Sequence, residues 1–405
     1  MSRWYLLAGF AMTGLLLAGL VLSNPNHGTS IDSGYYLQSA ANLLAGRGYV
    51  VQETGRLVWN GTFPIGYPAL IAGLSGLTGL SVLVASKLIN GLFLMVSGWV
   101  WTRRLGTQRA TWMLSVWWLG GFLKLLTYTW SEAVFLVLLA EWVWQLHCLL
   151  TAPTPRRTIV LILVGYALFL VRYVGGYVFA LTGLLALLSW LSPERLSLPI
   201  ARQRSIGRQL LTASLAGITG LGTYFELNSL FSDSAFGGER FLPTESSGQL
   251  AWLFGRALLN EGLLIRDFTV GGSDWLAWLG VGLQGVLLSL GGWRLRRAYR
   301  PMNDERQTAT LSQLFVMTGF VYVGVLFILR TLSPFDAPNL RLMAPSTFCL
   351  LTAGLLWVGQ LPVQYQRLIR PYWAMLLLGS WLQLLPQANL NHKLNQVQAR
   401  LFVHR

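Results

Sequence analysis

Residues 4–22 read Trp4-Tyr-Leu-Leu-Ala-Gly-Phe-Ala-Met-Thr-Gly-Leu-Leu-Leu-Ala-Gly-Leu-Val-Leu22, nineteen positions without a charge, and Arg3 stands immediately before them. About 20 apolar residues is the length an α-helix needs to cross a hydrocarbon layer ~30 Å thick. A cleaved secretory signal would end on small residues, which Leu20-Val-Leu-Ser-Asn24 does not supply. The run is therefore expected to persist as a first membrane helix.

Comparable runs recur to the end of the chain, and they decide the fold. Apolar residues make up 54% of the 405 positions and charged residues 11%, about half the usual soluble share. Mean hydropathy is +0.52. Crossings are expected at about 4–22, 83–101, 110–126, 131–150, 158–171, 174–191, 209–226, 275–293, 308–329, 342–360 and 371–386. That predicts an all-α polytopic membrane protein of about 11 transmembrane helices. The whole of 1–405 forms one membrane domain, with no separate soluble domain. A membrane β-barrel would show ~10-residue alternating segments instead.

Residues 63–80 are also apolar but short, interrupted by Pro64, Gly66, Pro68, Gly73, Gly76 and Gly79. They read as an interfacial or re-entrant helix. The next crossing then ends on Arg103 and Arg104 in the cytoplasm. With the N-terminus inside and the C-terminus outside, 17 of 30 basic residues fall on short cytoplasmic connections or flanks. This matches the positive-inside rule. Of the 15 acids, only Glu194, Asp304 and Glu305 lie inside, and Glu141 lies within a crossing. The net charge of +15 thus reports topology; no basic stripe forms for nucleic acid.

The outer face carries two long loops, 23–82 and 227–273, and nearly all the carboxylates. It also carries Arg172, Arg240, Arg256, Arg266, Arg330 and Arg341, which positive-inside bias disfavours. Most of the 18 Trp and 14 Tyr suit interfacial belts. Cys148 and Cys349 lie in apolar runs, and His27, His147, His392 and His404 are dispersed. Neither set has metal-ligand spacing. Asn60-Gly-Thr62 is a glycosylation sequon of a kind common by chance. No internal repeat is evident.

Four outer segments bear groups suited to chemistry. In the first, Asp32 precedes an amphipathic stretch, Tyr35–Leu44, that stops at Gly46 and Gly48. Lying in the membrane plane, this helix holds Asp32 at the lipid–water boundary. The plainer alternative is that Asp32 only caps it. In the second, Thr127-Tyr-Thr-Trp-Ser-Glu132, the carboxylate opens an apolar helix, where dipole pairing alone would favour it. The third is the hairpin Val171-Arg-Tyr-Val-Gly-Gly176. The fourth brings Asp336, Arg341 and Pro345 to the start of a crossing, where an Asp–Arg pair is also readable as structural. Lys87 and Lys124 lie at outer ends of crossings, either snorkelling or pointing a cation into an outer cavity. Glu141 has no sequence-evident partner.

Together these segments resemble the GT-C glycosyltransferases, most nearly the bacterial relatives of protein O-mannosyltransferases and the lipid A aminoarabinose transferase. The resemblance spans most of the chain in architecture and is most specific over 28–70. An acidic residue opens the first outer loop (Asp32). An aromatic-bearing interfacial helix (Tyr35, Tyr36), a Gly-rich turn (Gly46 to Tyr49) and a Pro/Tyr segment (Pro64-Ile-Gly-Tyr-Pro68) follow. Glu132 resembles the second acidic position, Arg172 the hairpin arginine, and Arg341 with Pro345 a late Arg–x3–Pro. Many relatives have Asp-Glu where this chain has Asp32-Ser33, and Lys-Pro-Pro where it has Thr62-Phe-Pro64. A C-terminal outer domain is expected to be absent.

The resemblance implies transfer of a sugar from a polyprenyl-phosphate donor to a lipid, glycan or protein acceptor at the outer face, with inversion. In a bacterium this is the inner membrane. Asp32 is then the base, and Glu132 orients the acceptor or holds a metal. Phosphate contacts are expected from some of Lys87, Lys124, Arg172, Arg256, Arg266 and Arg341, and Tyr35, Tyr36 and Tyr67 line the loop. No cofactor is assigned, and a divalent metal is left open. The rival classes are a lipid-linked oligosaccharide polymerase or ligase, a lipid or sugar transporter, and a non-catalytic scaffold. A polymerase or ligase usually places its large outer loop late. A transporter favours intramembrane polar sites.

Overall fold

The computed structural model describes residues 3–191, 200–232, 234–235, 246–262, 275–298, 306–332, 335 and 338–384. The first long helix, α1 (Arg3–Ser23), leads into α2 (Ile31–Leu44), a hairpin of β1 (Val50–Glu53) and β2 (Arg56–Trp59), and α3 (Gly66–Thr78). Helices α4 (Val82–Leu105), α5 (Thr107–Leu114), α6 (Gly120–Thr127), α7 (Glu132–Thr151), α8 (Pro155–Val171) and α9 (Tyr177–Leu191) follow. Then come α10 (Ile200–Ser232), α11 (Ser247–Gly262), α12 (Trp275–Ala298), α13 (Arg306–Leu332), α14 (Leu340–Gln360) and α15 (Val363–Ser380).

Among the described residues, five segments are long and apolar enough to cross a membrane: Val82–Leu105, Glu132–Thr151, Tyr173–Leu191, Leu311–Thr331 and Leu340–Gln360. Their outward faces are apolar. On α4, Val84, Leu88, Leu92, Met95 and Trp99 recur at helical spacing and are all exposed. In water such a stripe would drive aggregation; facing lipid it is the stable arrangement, and the protein is an integral membrane protein. The α7 and α14 spans are 61% and 67% buried against 39% for α4 and α13, so α7 and α14 form the centre of the bundle.

Each expected crossing falls on helix, with four departures. The 110–126 segment is two short helices joined by a 3-10 turn, Ser115–Trp118, and an extended Leu119. At the break the Gly120 amide donates to Ser380 Oγ (2.9 Å), and a Cβ there would overlap the Ser380 carbonyl oxygen. The last helix begins at Val363 and not near 371, because Gln366 is buried and bonded. It accepts from Trp112 Nε1 (2.8 Å) and donates to the Leu361 carbonyl (2.7 Å). The 227–273 loop is partly helical: α10 continues to Ser232, and α11 packs Leu250 and Phe254 inward.

The fourth departure corrects the all-α expectation. β1 and β2 pair antiparallel with Val51 opposite Val58, around Thr54 and Gly55, both with positive φ (47° and 84°). Positive φ at both central positions suits the right-handed twist of a two-residue hairpin, and Gly adopts it freely. Trp59 ties the hairpin to α10, donating from Nε1 to Asn228 Oδ1 (3.0 Å).

Candidate active site

Four of the candidate side chains converge from four elements. Asp32 is the second residue of α2. The helix cap is Ser30, whose amide donates to Ser33 Oγ (3.0 Å), while Ser33 Oγ donates to the Thr129 carbonyl (3.0 Å). The Asp32 carboxylate is thus free of capping, and Oδ2 accepts from Arg341 Nη1 (2.5 Å). Arg341 stands in the first turn of α14, behind an Asn339 cap that accepts from the Leu342 amide (3.1 Å). Pro345 is the sixth residue of that helix. Lacking an N–H, it leaves the Arg341 carbonyl without its usual intrahelical donor.

Arg341 also donates from Nε to Glu132 Oε1 (2.5 Å), and Arg172 Nη1 pairs with the same oxygen (2.5 Å). Glu132 is the first residue of α7 and is 1% exposed; Asp32, at 32%, is the accessible carboxylate. Arg172 follows the last residue of α8, in extended conformation (φ −152°, ψ 130°), which turns it out of the helix. Two acids and two arginines balance in charge, as burial requires. Arg341 bridges both acids because a guanidinium offers donors in a planar fork.

Aromatic rings hold this cluster in place. The Arg341 guanidinium lies 4.5 Å from the Trp130 ring centroid, within cation–π range. Trp130 stacks on Tyr128 (4.1 Å, 22°) and donates from Nε1 to Ser30 Oγ (2.8 Å). Trp130 was not singled out in the sequence, although it lies two residues before Glu132. Tyr36 is buried, with its hydroxyl 3.2 Å from Ser131 Oγ and its ring against Phe63 and Tyr67. Burial, reinforced by the Glu132 charge, pushes the Tyr36 phenol up to about 12, so it stays protonated at neutral pH. Tyr67 is fully buried and donates to Asn90 Oδ1 (3.2 Å). Tyr35 is half-buried beside Phe63 (5.8 Å). Of the three tyrosines expected along the loop, Tyr36 and Tyr67 are struts, and Tyr35 alone is partly exposed.

Lys87, expected as a phosphate contact, lies beside the cluster. Its Nζ donates to the Gly28 carbonyl (2.8 Å), the Thr127 carbonyl (2.9 Å) and Thr129 Oγ1 (2.9 Å), engaging all three N–H bonds. It ties the approach to α2 to the connection before Glu132. Gly28 makes the joint possible: its φ is +64°, and a Cβ there would overlap the Thr127 oxygen. Lys87→Met is expected to lower stability by on the order of 3 kcal/mol, because two carbonyls lose a charged donor. Thermal unfolding in detergent checks this.

Lys124 is half-buried on α6, and Arg256 is half-buried on α11. Arg266, Arg240 and Asp336, and with it the expected Asp336–Arg341 pair, lie outside the described residues; Arg341 is engaged by Asp32 and Glu132. Among the described residues no three His, Cys, Asp or Glu gather as metal ligands. Glu141, unpartnered in the sequence reading, forms a bidentate pair with Arg104 (2.6 and 2.8 Å) and accepts from Gln145 (2.6 Å). The pair is about one-quarter exposed. Glu141→Gln is expected to cost about 1 kcal/mol or less and to leave activity at the Asp32 cluster unchanged, as unfolding and turnover measured on one preparation will report.

No family model matches the chain, and no curated protein matches it. Among solved structures, the chain is similar to ArnT from Cupriavidus metallidurans, crystallised in the apo state. The two are 14% identical, with a TM-score of 0.44 over 88% of this chain and 77% of that one.

Proposed function

We propose that the chain is a GT-C-type membrane glycosyltransferase. It moves a hexosyl or pentosyl group from a polyprenyl-phosphate donor to a lipid, glycan or protein acceptor at the outer face. One observation carries the reading: Asp32 and Glu132, 100 residues apart, meet across Arg341, with Arg172 completing the cluster. A scaffold has no use for such an assembly at the start of three helices. Arg103 and Arg104 lie in the last turn of α4, and Arg156 and Arg157 in the first turn of α8, just past the far end of α7. Positive-inside bias makes that end cytoplasmic and the Asp32 end external.

The residues divide the work by exposure. Asp32, the accessible carboxylate, takes the acceptor hydroxyl proton. The acceptor oxygen then bonds to the anomeric carbon. The bond from that carbon to the phosphate oxygen breaks, and polyprenyl monophosphate leaves with the electron pair. Attack from the far side inverts configuration. Arg341 and Arg172 stabilise the leaving phosphate. Glu132 holds both arginines in place. Arg341 keeps Nε on Glu132 while its outer nitrogens exchange Asp32 for phosphate, which releases the base once the donor is seated. Both carboxylates face arginine.

The test is release of polyprenyl monophosphate from synthetic polyprenyl-phosphate hexoses and pentoses, in vesicles containing envelope lipid extract. Protein-dependent release from one of these donors supports the reading. Release only from pyrophosphate-linked oligosaccharides would replace it with a polymerase or ligase.

A further inference from the structure

Beneath the arginine–carboxylate cluster, several buried polar atoms have no hydrogen-bond partner among the described residues. They include Glu132 Oε2, the hydroxyls of Tyr177 and Tyr322, Thr318 Oγ1 and Ser346 Oγ. Glu132 is 1% exposed, Tyr322 0%, Tyr177 5%, Thr318 0% and Ser346 0%. They form one neighbourhood. The Tyr177 and Tyr322 rings meet edge to face at 5.3 Å, and Tyr322 lies within electrostatic reach of Glu132 and Arg172. Thr318 is one turn along α13 from Tyr322. At Gly319 the helices α13 and α14 nearly touch, since a Cβ there would sit 3.0 Å from Cys349 Cβ and 3.1 Å from the Ser346 carbonyl oxygen.

Orphaned buried polar groups are rare because each costs free energy, and proteins keep them chiefly where function requires. The chemistry of this set narrows its ligand. Glu132 Oε2 only accepts, so it repels phosphate and calls for a donor. Arg172 and Arg341 beside it disfavour a cation. The tyrosine and serine or threonine hydroxyls both donate and accept. A neutral group that does both, repeated at several positions, is the hydroxyl set of a sugar ring.

We propose that Glu132 Oε2, Tyr177 and Tyr322 form the subsite that reads the hydroxyls of the transferred sugar, below the arginines that take the phosphate. This rests on the glycosyltransferase reading and assigns it a specificity-determining pair, Tyr322 and Tyr177. A site built to bond a hydroxyl discriminates strongly, because its own polar groups stay unpaired when the hydroxyl is missing.

The experiment compares wild type, Tyr322→Phe and Tyr177→Phe. Each variant keeps the ring and removes one unpartnered hydroxyl, so folding is preserved. Binding is measured for bare decaprenyl monophosphate and for decaprenyl-phosphate mannose, glucose and arabinose, alongside the melting temperature of the ligand-free protein. In wild type, one sugar-bearing lipid is expected to bind at least tenfold more tightly than the bare carrier. Tyr322→Phe should lose about tenfold of that increment, keep the bare-carrier affinity, and melt higher than wild type without ligand. Tyr177→Phe should behave alike with a smaller loss. The subsite is overturned if no sugar adds affinity over the bare carrier, if both variants keep the full increment, or if the variants melt lower. Binding of neither carrier nor sugar lipids by wild type would overturn the glycosyltransferase reading, and the subsite with it.

Discussion

Asp32→Asn, purified alongside the wild type, is expected to transfer sugar about 10³-fold more slowly, within the range that a positioned general base contributes. The change is nearly isosteric and does not touch the cap, which belongs to Ser30 and Ser33. Asp32 is one-third exposed and, among the described residues, has a single partner, Arg341 Nη1. Removing its charge therefore leaves Arg341 anchored on Glu132. Melting temperature should move by little and donor affinity should hold or rise, since phosphate no longer competes with Asp32 for the guanidinium. A variant that turns over at the wild-type rate would remove Asp32 from the mechanism; one that also loses its fold would mean that the ion pair is structural.

Arg341→Lys is the second large effect, and it separates charge from geometry. One guanidinium serves Asp32 through Nη1 and Glu132 through Nε, with its face on Trp130. An ammonium on a flexible stem does not reproduce that fork or the flat stacking surface. Turnover is expected to fall by about 10²–10³, the loss usual for removing one donor to a developing anion. Arg341→Met should lose as much turnover and also stability, by about 2 kcal/mol, because buried Glu132 keeps only Arg172. Full activity in the lysine variant would show that the cation matters and its planarity does not. Parallel kcat and KM series for the two variants decide this.

The sequence located the helices well because a lipid-facing helix must be apolar along its whole length. What it concealed were interactions between distant segments. Glu141 looked isolated until Arg104, 37 positions earlier, came alongside it. Arg341 also bonds to acids 309 and 209 residues earlier, which no local pattern discloses. The break at Leu119 depends on the fit of Gly120 against Ser380, and no local pattern marks it. The early start of α15 depends on buried bonds to Gln366 from a helix some 250 residues before it. The hairpin at Thr54-Gly55 was not read from the sequence, because two strands of 4 residues in a polar loop leave too short a pattern. Asp32, Glu132 and Arg341 were each legible as candidates because each stands at the start of a helix at the same end; that the arginine joins the two acids was not.

Mass spectrometry of the lipids that co-purify with Asp32→Asn tests the central claim most directly. A transferase stalled at proton removal should retain its donor. The account predicts a polyprenyl monophosphate bearing one sugar, enriched over the wild-type preparation, whose mass identifies the sugar class. A pyrophosphate-linked oligosaccharide, or a lipid profile identical to that of wild type, would contradict it.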